Sequence, residues 1–321
     1  MDQKLSNIVV IRCYAILSLV AWHCLCVYVG WNKYLPEIAI ATSDNTITAF
    51  YSKLATIFMP DANMPLFTII SGYVYASLRK EGRYLDTLQF VKKKARRLLV
   101  PYFVIGTIVV LTIYDWSPST ILQGQAHHLW YCAMLFWCFV YIIMYSKYNA
   151  ILKISFILIC LILHIFHVNS DILGIVRGMR YFPYFLFGCY LALYLQRLQS
   201  VKRAKLYSFL SWFIALIIFL IFKKSSLLLP VCYFFSLMIF VFIPINVRPR
   251  KFVVLISEYS FGIYVFHEWF LWNFSHLNFC RSFIIEHQLM YPIIAYIIVL
   301  IISLGLTIFS LKTRLGKFLL T

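Results

Sequence analysis

Arg12 and His23 stand eleven residues apart in a stretch that is otherwise almost wholly apolar, Arg12-Cys-Tyr-Ala-Ile-Leu-Ser-Leu-Val-Ala-Trp-His23. On an α-helix, eleven residues come within about 20° of three full turns and rise about 16 Å, so both side chains share one face. Taken singly, each has an ordinary explanation. An arginine near a membrane surface extends its guanidinium to the headgroups, and a histidine bonds a neighbouring helix. Taken together they describe a polar path into an apolar segment, with a cation to hold an anion at one end and an imidazole for proton chemistry at the other. An alcohol is a poor nucleophile near neutral pH, and a neutral imidazole in an apolar setting suits the role of its general base. The cysteines offer less. Cys13, Cys24, Cys26, Cys132, Cys138, Cys160, Cys189 and Cys232 lie in apolar stretches without a C-x-x-C pair and read as small buried hydrophobes. Cys24-Leu25-Cys26 beside His23 is too poor a ligand set for zinc, so no metal is expected.

The elements that carry these residues are membrane helices. Hydrophobic residues make up 63% of the 321 and charged ones 12%, whereas soluble domains carry about 25% charged residues. Stretches long enough to cross roughly 30 Å of hydrocarbon fall near 8–30, 54–78, 98–114, 128–146, 151–168, 181–197, 206–222, 227–246, 253–273 and 291–311. The pattern predicts an all-α polytopic membrane protein of about ten helices. No linker, low-complexity tract or repeat divides it, so residues 1–321 read as one transmembrane domain. The longer outer loops are expected near 31–53, 115–127, 169–180 and 274–290. The first span is longer than a signal-peptide core, contains Arg12 and His23 and lacks a clear small-residue cleavage site, so it is expected to be retained.

The net charge of +18 sits between apolar segments. That placement speaks for topology control and an anionic ligand on one face, and against a nucleic-acid partner. Arg79, Lys80, Arg83, Lys92, Lys93, Lys94, Arg96 and Arg97 make one connection strongly positive, and Lys202, Arg203 and Lys205 mark another. With the N-terminus inside, about 21 of the Lys and Arg fall on inner segments and about seven outside. Both termini are then cytoplasmic.

The Arg12-to-His23 stretch resembles the opening Arg-x10-His motif of the membrane-bound acyltransferase-3 family, which contains bacterial polysaccharide O-acetyltransferases. Four further stretches resemble the family's motifs in order: Met64-Pro-Leu-Phe-Thr-Ile-Ile-Ser71-Gly72-Tyr73; Phe90-Val-Lys-Lys-Lys94-Ala-Arg-Arg97-Leu-Leu-Val-Pro101-Tyr102; His128-Leu-Trp130-Tyr; and Ser260-Phe-Gly-Ile-Tyr264-Val-Phe-His267. Tyr181-Phe-Pro183-Tyr-Phe-Leu-Phe-Gly188 is similar to its sixth-span pattern. Two departures stand out. Lys94-x-x-Arg97 takes the place of a frequent Arg-x-x-Arg, which keeps both charges but loses one bidentate fork for phosphate. After Trp130 the chain runs Tyr-Cys-Ala-Met-Leu-Phe without an acidic cluster, which places it nearer the fucose 4-O-acetylase-like branch, with no appended periplasmic domain.

The resemblance implies transfer of an acyl group, with acetyl-CoA as the expected donor and a hydroxyl of a cell-envelope glycan or lipid-linked sugar as acceptor. The protein would sit in the inner (plasma) membrane and hold no permanent cofactor. Lys94 and Arg97 are expected at the donor's phosphates, with Arg12 as a further contact; for Lys94 and Arg97 the alternative is lipid anchoring and topology. His23 is the candidate base. Ser71, Tyr264 or a helix-end amide would face the oxyanion, although Ser71-Gly72 equally suits helix packing. His128, Trp130, Tyr264 and His267 are candidates for the acceptor sugar, with His267 and Glu268 also placed to relay a proton; an interfacial aromatic belt accounts for most other Trp and Tyr. A transporter, flippase or polymerase of lipid-linked saccharides is the competing class, since many spans with scattered charges also suit a translocation path. A non-catalytic membrane receptor is a third, and no motif favours it.

Overall fold

The computed structural model describes residues 5–29, 35–42, 46–58, 60–113, 118–123, 126–166, 171–223 and 225–320. Of the expected outer loops, residues 31–34, 43–45, 115–117, 124–125 and 169–170 lie outside the described residues. The described chain is helical and contains no strand. The helices are α1 (Ser6–Val29), α2 (Pro36–Thr42), α3 (Thr46–Phe58), α4 (Pro60–Lys80), α5 (Thr87–Ile113), α6 (Pro118–Leu122), α7 (Trp130–Lys147), α8 (Ala150–Ile165), α9 (Ile175–Ser200), α10 (Ala204–Phe222), α11 (Leu228–Phe242), α12 (Lys251–Glu258), α13 (Ser260–His276), α14 (Asn278–Glu286), α15 (Tyr291–Ser310) and α16 (Arg314–Leu320).

Five helices among the described residues are long and apolar enough to cross a bilayer: α1, α5 as far as Thr112, α7, α10 and α15. α8 and α11 are equally apolar but shorter. The outward faces explain what surrounds them. Ile214, Ile221 and Phe222 of α10 and Ile293, Ile297 and Ile301 of α15 are all more than half exposed. In water such stripes would be an aggregation surface, whereas hydrocarbon covers them at no cost.

Two expected boundaries change. The stretch 253–273 divides at Tyr259 into α12 and α13. The second change is the larger. The basic connection after α4 is in good part helix, because α5 begins at Thr87, well before the apolar run at 98. Asp86 precedes that start, and its Oδ1 accepts the Gln89 N–H at 3.0 Å, satisfying one orphan donor of the first turn. Pro101 is therefore interior to α5 and leaves the Arg97 carbonyl without its helical donor.

The chain forms two compact units, one of Met1–Ile11 with Met64–Pro249, the other of Arg12–Asn63 with Arg250–Thr321. In the first unit α7 packs on α5 and α9, α8 on α9, and α10 on α11. α4 and α9 approach until backbone meets backbone. A Cβ on Gly72 would collide with the Phe185 carbonyl, and one on Gly188 with the Ile69 carbonyl. Small residues at such crossings replace the hydrophobic drive that lipid does not supply. Gly72 therefore has the packing role that the sequence allowed for it. In the second unit α13 packs on α14 and α15, and α2 on α14.

Because neither carbonyl can yield, Gly72→Ala and Gly188→Ala should each destabilise the detergent-solubilised protein by about 1–3 kcal/mol. Thermal melting followed by size exclusion measures this, and unchanged melting in both variants would contradict the crossing.

Candidate active site

The second unit gathers a histidine pair and a carboxylate. α1 presents His23, and α13 presents His267 and Glu268 from consecutive positions. The Nε2 of His267 lies 3.1 Å from His23 Nδ1, and a Glu268 carboxylate oxygen lies 3.5 Å from His23 Nε2. Neighbours on a helix diverge by about 100°, and that divergence places one side chain at each nitrogen of the same ring. The two imidazole centroids are 4.9 Å apart with planes inclined at 59°. His267 is fully buried and Glu268 is 4% exposed, while the His23 side chain retains 14%.

The surrounding helices hold this arrangement by short polar links at their ends and by close packing between. Gly262 lets α13 come against α15, where a Cβ would strike Thr307. Thr307 itself turns its hydroxyl back to the Ser303 carbonyl at 2.7 Å and presents its methyl side to the neighbour. Further along α1, Tyr28 donates to the Ile284 carbonyl at 2.9 Å and packs its ring between Tyr51 and Tyr291. Tyr51 donates to the Gln288 carbonyl at 2.8 Å. Arg281 on α14 pairs with Glu37 on α2, and the Ser18 hydroxyl donates to Asn63 at 2.8 Å. Arg12 belongs to this unit too, half-buried about three turns before His23 on an unbroken helix. Tyr264 is buried on α13, its ring 6.1 Å from that of His267.

His23, His267 and Glu268 are also the three residues, among those described, whose ligand-type atoms cluster within 4.8 Å. Two histidines and a glutamate match the donor set of an open zinc site. The two ring nitrogens of His23 face separate neighbours, His267 at hydrogen-bond distance from Nδ1 and Glu268 at ion-pair distance from Nε2.

The remaining sequence candidates lie in the first unit. Ser71 turns its hydroxyl to the Phe67 carbonyl at 2.9 Å, and the Tyr131 hydroxyl interacts with the side chains of Thr68 and Ser71. Lys94 and Arg97 part company. The Lys94 ammonium stands 4.0 Å from the Phe139 ring centre and 5.5 Å from those of Tyr84 and Phe90, whereas Arg97 is exposed. The cage is built by the turn after α4. Gly82, at φ 80°, closes the helix with the Arg83 N–H on Leu78 and its own N–H on Arg79. Tyr84, at φ 64°, is held by an Arg79 guanidinium bond to its carbonyl at 3.2 Å.

His128 is buried and Trp130 half-buried at the start of α7. Trp130 carries the Arg177 guanidinium 5.0 Å from its ring centre and Tyr181 at 5.6 Å. Arg177 reaches Asp171 at 3.5 Å, and Asp171 also accepts the Val176 N–H at 3.0 Å, capping α9. Burial pushes the Asp171 carboxyl up from its ordinary range, against the pull of Arg177 and the α9 amides. Sequence reading passed over Asp171 and Arg177, which looked like ordinary outer-loop charges; the signal was an Asp five residues before the first free amide of a glycine-started helix.

Apolar helices that bury an imidazole beside a second imidazole and a carboxylate mark a membrane protein with an ionisable cluster among its helices. Residues 5–311 match the family model described as an acyltransferase domain, and the chain belongs to this acyltransferase-3 family. No curated protein and no solved structure matches it.

The different settings of the two cations predict different costs of removal. Lys94→Gln should lower stability by about 1 kcal/mol, the worth of a partly desolvated cation over aromatic faces, and Arg97→Ala should stay within about 0.5 kcal/mol as an exposed substitution. Melting curves of the two variants in one detergent decide it; equal losses would mean that the ring cage contributes nothing.

Proposed function

We propose that the protein is a membrane O-acetyltransferase that moves acetyl from cytosolic acetyl-CoA to a hydroxyl of a cell-envelope glycan or lipid-linked sugar. The observation that carries the reading is His23, held against His267 and Glu268 in a chain of the acyltransferase-3 family. His23 takes the acceptor's proton, and the Glu268 carboxylate beside it stabilises the imidazolium that forms. The hydroxyl oxygen then attacks the thioester carbonyl, and the coenzyme A thiolate leaves. Tyr264, in the same unit as His23, is the candidate donor to the oxyanion. Arg12 neutralises negative charge on the same helical face as His23.

The donor's phosphates are assigned to Arg97, whose exposed guanidinium suits bidentate contact, with Lys94 one turn away on α5. His128 and Trp130 are assigned to the acceptor; the Arg177 and Tyr181 side chains on Trp130 form with it a polar and aromatic surface of the kind that sugars use. The proposed setting is the inner membrane, crossed by about ten helices with both termini cytoplasmic, supported by the excess of Lys and Arg on alternate connections.

Two measurements test this. Envelope glycans from cells carrying wild type, His23→Ala or Arg97→Ala at matched membrane levels are compared by mass spectrometry. The acetyl increment should be lost by at least about a hundredfold with His23→Ala, and Arg97→Ala should raise KM for acetyl-CoA in isolated membranes. Identical acetylation in all three, with altered glycan export or chain length, would favour translocation instead. For topology, an impermeant maleimide should label Cys280 from outside intact cells, and a cysteine placed at Arg203 only after permeabilisation; the reverse pattern would overturn the orientation.

A further inference from the structure

At the start of α1 a polar side chain is buried without being bonded. Asn7 is 0% exposed, and among the described residues neither the nitrogen nor the oxygen of its side-chain amide has a hydrogen-bond partner. The polar groups near it on the chain and at the end of α11 are already served. Ser6 donates to the Ile245 carbonyl at 2.7 Å, and Gln199 on α9 donates to the Phe240 and Ile243 carbonyls at 2.8 and 2.9 Å. The Tyr73 hydroxyl on α4 is turned toward the Asn7 side chain, yet the amide atoms stay unbonded, so the two groups face each other without closing a bond. The Tyr73 ring packs on Phe240 of α11, with centroids 5.3 Å apart. Ser236 lies one turn before Phe240 on the same face, and it too is 0% exposed with its hydroxyl unbonded. Asn7, Tyr73, Ser236 and Phe240 all belong to the first unit. A buried amide with both ends unpaired is costly and rare. Two such groups on either side of one ring contact call for an occupant that brings both donors and acceptors.

From this juxtaposition we infer that Asn7 and Tyr73 bind an amide of the pantetheine arm of coenzyme A, with Ser236 as the next contact along the arm. The inference rests on the donor reading above and adds the part of the donor that the basic residues do not hold. A secondary amide carries one N–H and one carbonyl; the Asn7 side chain offers an acceptor for the first and a donor for the second, and the Tyr73 hydroxyl serves either. The arm carries two such amides and a hydroxyl separated by short apolar stretches, and here the polar groups alternate with the Tyr73 and Phe240 rings. On the topology proposed above, the start of α1 and the ends of α9 and α11 are cytoplasmic, the side from which coenzyme A arrives. Lys94 and Arg97, assigned to its phosphates, belong to the same unit. A trapped water is the rival occupant. It would bridge Asn7 and Tyr73 as a permanent part of the fold, and that permanence is what separates the two by experiment.

The test uses the full chain purified into lipid nanodiscs and two probes: coenzyme A, and adenosine bisphosphate, its nucleotide half without the arm. Calorimetric titration gives Kd for each, and thermal melting gives the stability of the free protein. Wild type should bind coenzyme A more tightly than the nucleotide. Asn7→Leu should weaken coenzyme A by about tenfold, the worth of one or two hydrogen bonds, and leave the nucleotide unchanged. Its free protein should melt at the wild-type temperature or higher, because an unpaired amide has given way to an apolar group of similar shape. Tyr73→Phe removes only an oxygen and should weaken coenzyme A in the same selective way. In isolated membranes the Asn7→Leu loss should appear in KM for acetyl-CoA, with kcat held within about twofold. If Asn7→Leu melts lower while binding coenzyme A as wild type does, the inference is overturned and the occupant is a structural water. Equal weakening of both probes would overturn it as well, as damage to the fold. Wild type that binds the two probes equally would sink this inference and leave the donor reading standing, whereas wild type that binds neither would remove the donor reading itself.

Discussion

Among the apolar helices of the second unit a carboxylate is buried, and the rest of that unit is arranged around the need to compensate it. An isolated carboxylate taken out of water costs several kcal/mol even after the surroundings relax. Glu268 has an imidazole within ion-pair distance, and that imidazole is in turn bonded on its other nitrogen. Each member is affordable only while the others keep their places. The links described around it follow from this requirement. Gly262 brings α13 close to α15, and Tyr28 and Tyr51 tie α14 and the turn after it to α1 and α3 through backbone carbonyls. Hydrogen bonds of this kind act where lipid gives no hydrophobic force between helices.

The consecutive placement of His267 and Glu268 has a chemical consequence. In the familiar serine-protease triad a carboxylate orients one nitrogen of the histidine and leaves the other for the substrate. Here a second imidazole stands at Nδ1, and the carboxylate is on the opposite side, at Nε2. The 3.5 Å separation between Glu268 and His23 is longer than a strong charge-assisted bond.

Much of the fold was legible because hydropathy and helix period are local properties. The spans around α1, α7, α10 and α15 fall within a few residues of their expected limits, and His23 and Arg12 stood out as polar residues in an apolar run. The misreadings have physical causes. Lys92 to Arg97 looked like a loop because a hydropathy window registers charge and is blind to helix propensity, in which Lys and Arg rank high; Asp86 as a cap was the available clue. The division at Tyr259 and the left-handed turn at Tyr84 carry no composition signal. Pairing is harder still. His267 and Glu268 were recognised as more than interfacial residues, but their meeting with His23 depends on contacts 244 positions apart, which no local pattern encodes.

The same limit bears on the replacement of arginine by lysine in Lys94-x-x-Arg97. Read as a phosphate clamp, the pair has lost one of two planar forks. In the structure the two positions do different work. The Lys94 ammonium is turned over Phe139, Tyr84 and Phe90, and reaching for a phosphate would give up those ring faces and the turn they stabilise. A compact ammonium on a long apolar stem suits such a cage, since its methylenes pack on the rings while the charge meets their negative faces. Arg97 retains the fork and is exposed. In the donor-binding reading proposed above, Arg97 therefore carries the one planar fork that this pair retains.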